Sequence, residues 1–262
     1  MQIIKLALLI KLIKKKLSTF FLFFNMEFSS YLLPMAAGTS VSGAISKNVS
    51  AEERRWVVIG ISLTKVLTPA LRDVLANEIP KWYQMLLQPP CEIDKQTFGK
   101  LQKTLPPSTL KLNYESINNN AARKSPRAYD YTVKDPLSLA KLFLKPFMAN
   151  FTGFDQTMDA SAVLSVMCEA QPFFASGAAI IAKKVRSDIR NEWAHCNFSH
   201  WTEPNFQAAL QSMESLIKKA NLAPVERKRF LDDLDSWKNK GTVLNLFYKY
   251  LNYLLVVFPS RF

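Results

Sequence analysis

The chain has 262 residues, 48% of them hydrophobic and 12% aromatic, which is enough apolar surface for a sizeable core and excludes a disordered chain. Cys91, Cys168 and Cys196 are odd in number and far apart, so no disulfide scaffold is indicated and a reduced, cytoplasmic setting is expected. The formal charge of +13 is uneven: residues 1–50 supply +5 and residues 241–262 supply +2, leaving +6 for residues 51–240, which permits phosphate contact without requiring it.

Residues 1–50 form an atypical segment. The apolar patch at 6–10 is cut by Lys11 and by Lys14, Lys15 and Lys16, which is short for a signal-peptide core. The phenylalanine-rich stretch at 20–24 follows, and neither piece reaches the ~20 apolar residues of a membrane-spanning helix. Residues 241–262 form an apolar tail whose stretch at 243–258 is broken by Asn245, Lys249 and Asn252. For both ends three readings stay open: a membrane-surface segment, an added helix, or a gene-model extension with Met26 as the true start. The extension is the working expectation.

Residues 51–240 read as one helical domain. Only seven glycines and many apolar residues at spacings of three and four point to an all-α chain. Ser50 and Glu53 make a capping-box pattern, and Trp56, Ile59, Leu63, Leu67, Ala70, Val74 and Leu75 continue a helical stripe. Thr68-Pro69 marks a kink or a restart, and Pro89-Pro90 stops the helix. Residues 91–135 read as an irregular excursion with one short helix at 94–103. Its basic end, Arg123, Lys124 and Arg127 with Tyr129 and Tyr131, is a candidate nucleic-acid contact, with a solvated loop as the plainer alternative. Further helices are predicted at 137–148 behind Asp135-Pro136, from Asp159 to before Pro172, and at 174–197. Another follows through Phe206, Ala209, Leu210, Met213, Leu216 and Ile217. The last runs from Pro224 to Gly241 with Phe230, Leu231, Leu234 and Trp237 inward. Antiparallel packing of these helices would make a bundle.

The chemistry concentrates in the helix at 174–197. The chain holds two histidines, so His195 is nearly the whole supply of side chains that change charge near neutral pH. Asn191 and His195 are four apart and share a helix face, while Arg190 is rotated by about 100° and can curl toward it. Ala178, Ile181, Ala182, Val185, Ile189 and Trp193 form the core-facing stripe; Lys183, Arg186 and Arg190 form a basic one. Cys196 and His200 could be two metal ligands, but no second pair lies nearby, so no metal is expected. No Gly-x-Ser-x-Gly elbow and no glycine-rich phosphate loop is present, which argues against a serine hydrolase and against ATP chemistry. No cofactor is expected.

The string from Val185 to Phe198, with Trp201 beyond it, resembles the HEPN superfamily (higher eukaryotes and prokaryotes nucleotide-binding). Within it, the likeness is to the HEPN domains of the DAZ-interacting RING-type ubiquitin ligases and their animal relatives. Residues 63–72 are similar to the first helical segment of that subgroup, and the likeness covers roughly residues 51 to 240. The resemblance implies an all-α HEPN-like bundle and a homodimer that brings two motifs together. It also implies an Arg-x4-His endoribonuclease that needs no metal. In that role His195 exchanges a proton with the ribose 2′-hydroxyl or the leaving oxygen, Arg190 stabilises charge on the phosphate, and Asn191 orients His195 or the RNA. Lys183 and Arg186 would steer the RNA backbone. The alternative is a non-catalytic helical module that binds RNA or a protein partner in a ubiquitin-related or innate-defence signalling pathway. The chain has no RING-type set of Cys and His pairs and so is not itself such a ligase.

Overall fold

A computed structural model describes residues 50–239. The expectations for the two ends, and for Gly241 as a helix stop, fall on residues outside that range. The described part is all-α, with helices joined by turns and a single isolated bridge between Thr97 and Lys100.

The first helical rod starts at a complete capping box. Glu53 N–H donates to Ser50 Oγ and Ser50 N–H donates to the Glu53 carboxylate, satisfying two N-terminal donors reciprocally. Helix α1 (Ala51–Ile61) passes into a wider turn, Ser62–Leu67, and then into α2 (Thr68–Leu86) without leaving helical backbone angles. That π-type turn is what Thr68-Pro69 produces, rather than a kink or a break. Proline lacks an N–H and its ring would crowd the carbonyl one turn earlier. The Thr68 N–H and hydroxyl both reach back to Leu63 O instead, the hydroxyl at 2.7 Å. The predicted stripe is buried along this rod, apart from half-buried Trp56.

Three helices follow this rod before the motif segment. Helix α3 (Pro136–Lys141) is capped by Asp135, whose carboxylate accepts from Ser138 N–H at 2.6 Å. It ends at Lys141, short of the predicted 148, because Pro146 holds Lys145 extended and the chain resumes only as a 3-10 turn, Pro146–Met148. Helix α4 (Ala160–Glu169), capped by Asp159, is buried from Ser161 through Cys168 on every face, so it is the central element. Helix α5 (Ala178–Lys184) packs on it. The predicted start at 174 is four residues early: Gly177 has φ +74°, a left-handed angle that opens the helix only at Ala178.

Helix α6 (Glu203–Lys219) lies against α1 and α5 and buries every residue of its predicted stripe. The final helix, α7, covers 224–239 of the described residues and turns Phe230 and Leu234 inward. Among the described residues no helix is long and apolar enough to cross a membrane.

The predicted helix at 94–103 does not form. A single 3-10 turn, Ile93–Lys95, is followed by extended Gln96. The Gln96 amide donates to Cys91 O and Glu92 O at 3.0 and 3.1 Å and accepts from Gln102 N–H, so the side chain takes up backbone groups that a helix would pair. The basic end at Arg123, Lys124 and Arg127 is exposed, as a solvated loop would be, but the rest of the irregular excursion is anchored. Leu105, Leu112, Tyr114, Ile117, Tyr131 and Val133 join the core, and fully buried Asn120 donates to Tyr114 O and Asp130 O and accepts from Asp130 N–H.

Candidate functional site

The motif helix does not stay α-helical. After α5 the chain widens into a second π-type segment, Val185–Asn191, and closes with one α turn, Glu192–Ala194. Such segments occur often at functional sites. Ser187 Oγ lies within hydrogen-bond distance of Lys183 O, Lys184 O and the Asp188 carboxylate, three acceptors that compete for its one proton. The helix ends at Ala194, short of the predicted 197.

Its end is a Schellman closure. Cys196 N–H donates to Trp193 O and Asn197 N–H to Glu192 O, with Cys196 at φ +54° where glycine is usual. The Glu192 carboxylate accepts from Asn197 Nδ2 at 3.1 Å and lies 3.9 Å from His200 Nδ1. Asn197 in turn accepts from the Ser199 hydroxyl.

Helix α1 clamps this turn from outside. The Trp56 indole stacks on Trp193 with centroids 5.7 Å apart, donates to Trp193 O at 2.8 Å, and meets Phe198 edge-on. Gly60, one turn further along α1, gives the Trp193 ring its space: a Cβ there would sit 2.4 Å from the indole nitrogen. Arg55 donates to Trp201 O and pairs with Glu203 at 2.8 Å. The Glu203 carboxyl is held below the usual range first by Gln207 and then by Arg55. Trp201 itself is fully buried, with His200 edge-on against it. Sequence reasoning does not single out Trp56, Gly60 and Arg55. Their partners lie 137 or more positions away for the indole and guanidinium contacts, and no local pattern announces such pairings.

The candidate residues fall into separate groups. Arg190 is half-buried and donates Nη1 to Asn191 Oδ1 at 3.2 Å. His195 is exposed, its N–H bonded to Asn191 O at 3.0 Å, so one helical turn separates the two side chains along the backbone. Its imidazole makes no hydrogen bond or ion pair among the described residues. Arg186 turns inward: half-buried, it donates to Ser165 Oγ of α4 at 3.2 Å. Lys183 is exposed on α5. Both cations lie near enough to Cys168 to oppose burial, which nonetheless pushes that thiol up to about 11.

Arg123, Lys124 and Arg127 sit on the excursion, all exposed. Arg123 donates to Ala128 O, whereas Lys124 and Arg127 have no ion pair among the described residues. Tyr131 is not free for stacking, since its ring is buried and its hydroxyl donates to Pro126 O at 2.8 Å.

Among the described residues no three His, Cys, Asp or Glu side chains gather as a metal site. Three surface hollows, around Lys141 and Phe147, around Val225 and Arg229, and between Leu210 and Leu234, include none of Arg190, Asn191 and His195 in their walls. Within the motif His195 is exposed, while Arg190 and Asn191 are half-buried. Comparison with family models, with curated proteins and with solved structures finds no match to this chain.

Proposed function

We propose that this protein binds RNA and cuts it without a metal, using Arg190, Asn191 and His195, within a HEPN-like antiparallel bundle. The observation that carries the reading is the Arg190–Asn191 hydrogen bond one turn from an exposed imidazole, on a helix end immobilised by the Trp56–Trp193 stack. A fixed backbone of this kind keeps the imidazole within one helical turn of the Arg190–Asn191 pair, which favours reaction between groups held near each other. The likeness of residues 185–198 to the HEPN motif supplies the reaction class.

In the proposed chemistry His195 takes the proton of a ribose 2′-hydroxyl as that oxygen attacks the adjacent phosphorus. The P–O5′ bond breaks, leaving a 2′,3′-cyclic phosphate, and the leaving 5′ oxygen takes up a proton from water, while His195 later returns its proton to solvent. The guanidinium of Arg190 offsets the charge that builds on the phosphate oxygens, with Asn191 holding it in place. A second copy of the chain placed over the exposed His195 would enclose the strand and exclude water. Lys183 remains free to steer the backbone; Arg186, committed to Ser165, has less freedom to do so.

The test incubates the purified chain with single-stranded RNA in excess chelator. Wild type yields cyclic-phosphate ends, and His195→Ala loses about 10²–10⁴-fold in rate, the usual contribution of general acid–base catalysis. Equal products from wild type and variant would identify a contaminant and end the proposal. A second reading, a non-catalytic interaction module, is favoured by the side-chain tie between Arg190 and Asn191, which a structural role at the helix end would equally use. It predicts partner or RNA retention with no cutting.

A further inference from the structure

The excursion presents one solvent-facing aromatic side chain on a rigid base. Phe98 is 51% exposed, and its ring rests against Tyr131 at 6.3 Å between centroids. Tyr131 is itself fixed by Tyr114 at 5.0 Å, by Tyr129 at 6.0 Å and by its hydroxyl on Pro126 O. The backbone pair between Thr97 and Lys100, bonded in both directions, holds Phe98 at the tip of a tight turn. An exposed phenylalanine costs hydration free energy, so a ring held out on a stiff support of three tyrosines offers a face for another flat group.

Two acids of the excursion are already taken by lysines. Glu92 is taken by Lys95 and Asp130 by Lys134, each at 2.8 Å. Lys100, beside Phe98, and Lys124 and Arg127, flanking the Pro126 that anchors Tyr131, are exposed and carry no ion pair among the described residues. The excursion therefore offers a stacking face together with three exposed cations: Lys100 on the same tight turn, and Lys124 and Arg127 on the segment that fixes Tyr131. An acidic peptide would use the cations but has no need of the ring; a single-stranded nucleic acid uses both.

We infer that Phe98, with Lys100, Lys124 and Arg127, forms a binding surface for single-stranded nucleic acid, in which one base stacks on Phe98 and the cations contact flanking phosphates. This rests on the reading of the protein as one that handles RNA, and gives that activity a place to hold substrate apart from the motif. Base–aromatic stacking tolerates any base, so the surface confers affinity with little sequence preference.

The test uses the full chain and a fluorescent oligothymidylate of about twelve nucleotides, within the usual range of single-strand site sizes. DNA lacks the 2′-hydroxyl and is not consumed by the proposed cleavage. Fluorescence anisotropy should show Phe98→Ala weakening binding about tenfold with an unchanged thermal midpoint, while Phe98→Trp retains it. Replacing both Lys124 and Arg127 by alanine should flatten the dependence of log affinity on log salt by about 0.7 for each phosphate that is no longer neutralised. The inference is overturned if wild type does not bind the probe at low salt, if Phe98→Ala binds as wild type does, or if an acidic peptide competes equally well in wild type and Phe98→Ala. Should binding depend on Phe98 while His195→Ala still cuts RNA like wild type, the catalytic proposal falls and this surface stands. Should cutting depend on His195 while binding ignores Phe98, only this surface falls.

Discussion

The excursion at 91–135 and the motif turn at 192–201 are both irregular, yet they are held by different means. The excursion is fixed from within by side-chain amides: Gln96 and Asn120 occupy backbone groups, and Asn118 donates to Asp130 O and Thr132 O. The motif turn is fixed by its own backbone closure and by an aromatic clamp from α1, while Asn191, Asn197 and Ser199 keep their polar atoms near solvent. Burying an amide secures a loop but takes it out of reach of a ligand. A turn meant to present polar groups has to be anchored by something else, and here that is Trp56 and Trp193.

The largest effect expected from this contrast is functional. His195→Ala should remove cleavage by about 10²–10⁴-fold while leaving the thermal midpoint where it was, because the exposed imidazole supports no other group. Next comes Asn120→Ala, which removes the three hydrogen bonds of a fully buried amide and leaves Asp130 N–H without that partner, and should cost about 3 kcal/mol. For a domain of this size that is a fall of roughly 6–12 °C in thermal midpoint. Its counterpart in the motif turn, Asn197→Ala, should cost about 0.5 kcal/mol at most, since its partners stay hydrated. Equal losses at the two asparagines would erase the distinction between the regions.

Gly60→Ala addresses the clamp. The added methyl forces the Trp193 indole to move, and overpacking of this kind costs about 1–3 kcal/mol. Near-ultraviolet circular dichroism should report the disrupted Trp56–Trp193 stack, and RNA cutting should fall with it. Unchanged spectra would show that the clamp does not set the turn.

Two cysteines sharpen the same comparison. Burial, opposed by the weaker pull of Arg186, raises the Cys168 thiol from 9.0 to about 11. The folded state therefore prefers the neutral thiol, so the contribution is complete below pH 9 and is lost as pH rises toward 11. Denaturant titrations should show stability falling on the order of 2 kcal/mol further over that window in wild type than in Cys168→Ala. Exposed Cys196 should be alkylated first at neutral pH. Cys196→Gly, which relieves a left-handed angle, should stabilise by about 1 kcal/mol.

Local signals in the sequence carry over to the structure. Ser50, Asp135 and Asp159 cap the helices that their patterns predict, and Phe206, Ala209, Leu210, Met213, Leu216 and Ile217 all face inward. Helix-period patterns also locate the all-α core, because burial follows periodicity directly. What stays hidden depends on distant partners or on competition within a turn. Nothing near Gln96 in sequence says that its amide will displace a helix, and Pro69 alone does not choose between a kink and a widened turn. Arg186 fits a basic stripe by spacing, yet Ser165 on another helix claims it. The motif turn is legible as a cluster of residue types. The clamp that steadies it is not, since Trp56 and Gly60 look like ordinary members of a helix.

The most direct test of the central claim, that Arg190 and His195 act on the same phosphodiester, compares cutting rates of Arg190→Ala, His195→Ala and the double variant on one RNA in chelator. Groups that act as a unit give non-additive losses, so the double variant should be no slower than the slower single variant. Losses that multiply, or a double variant that cuts as fast as wild type, would contradict it.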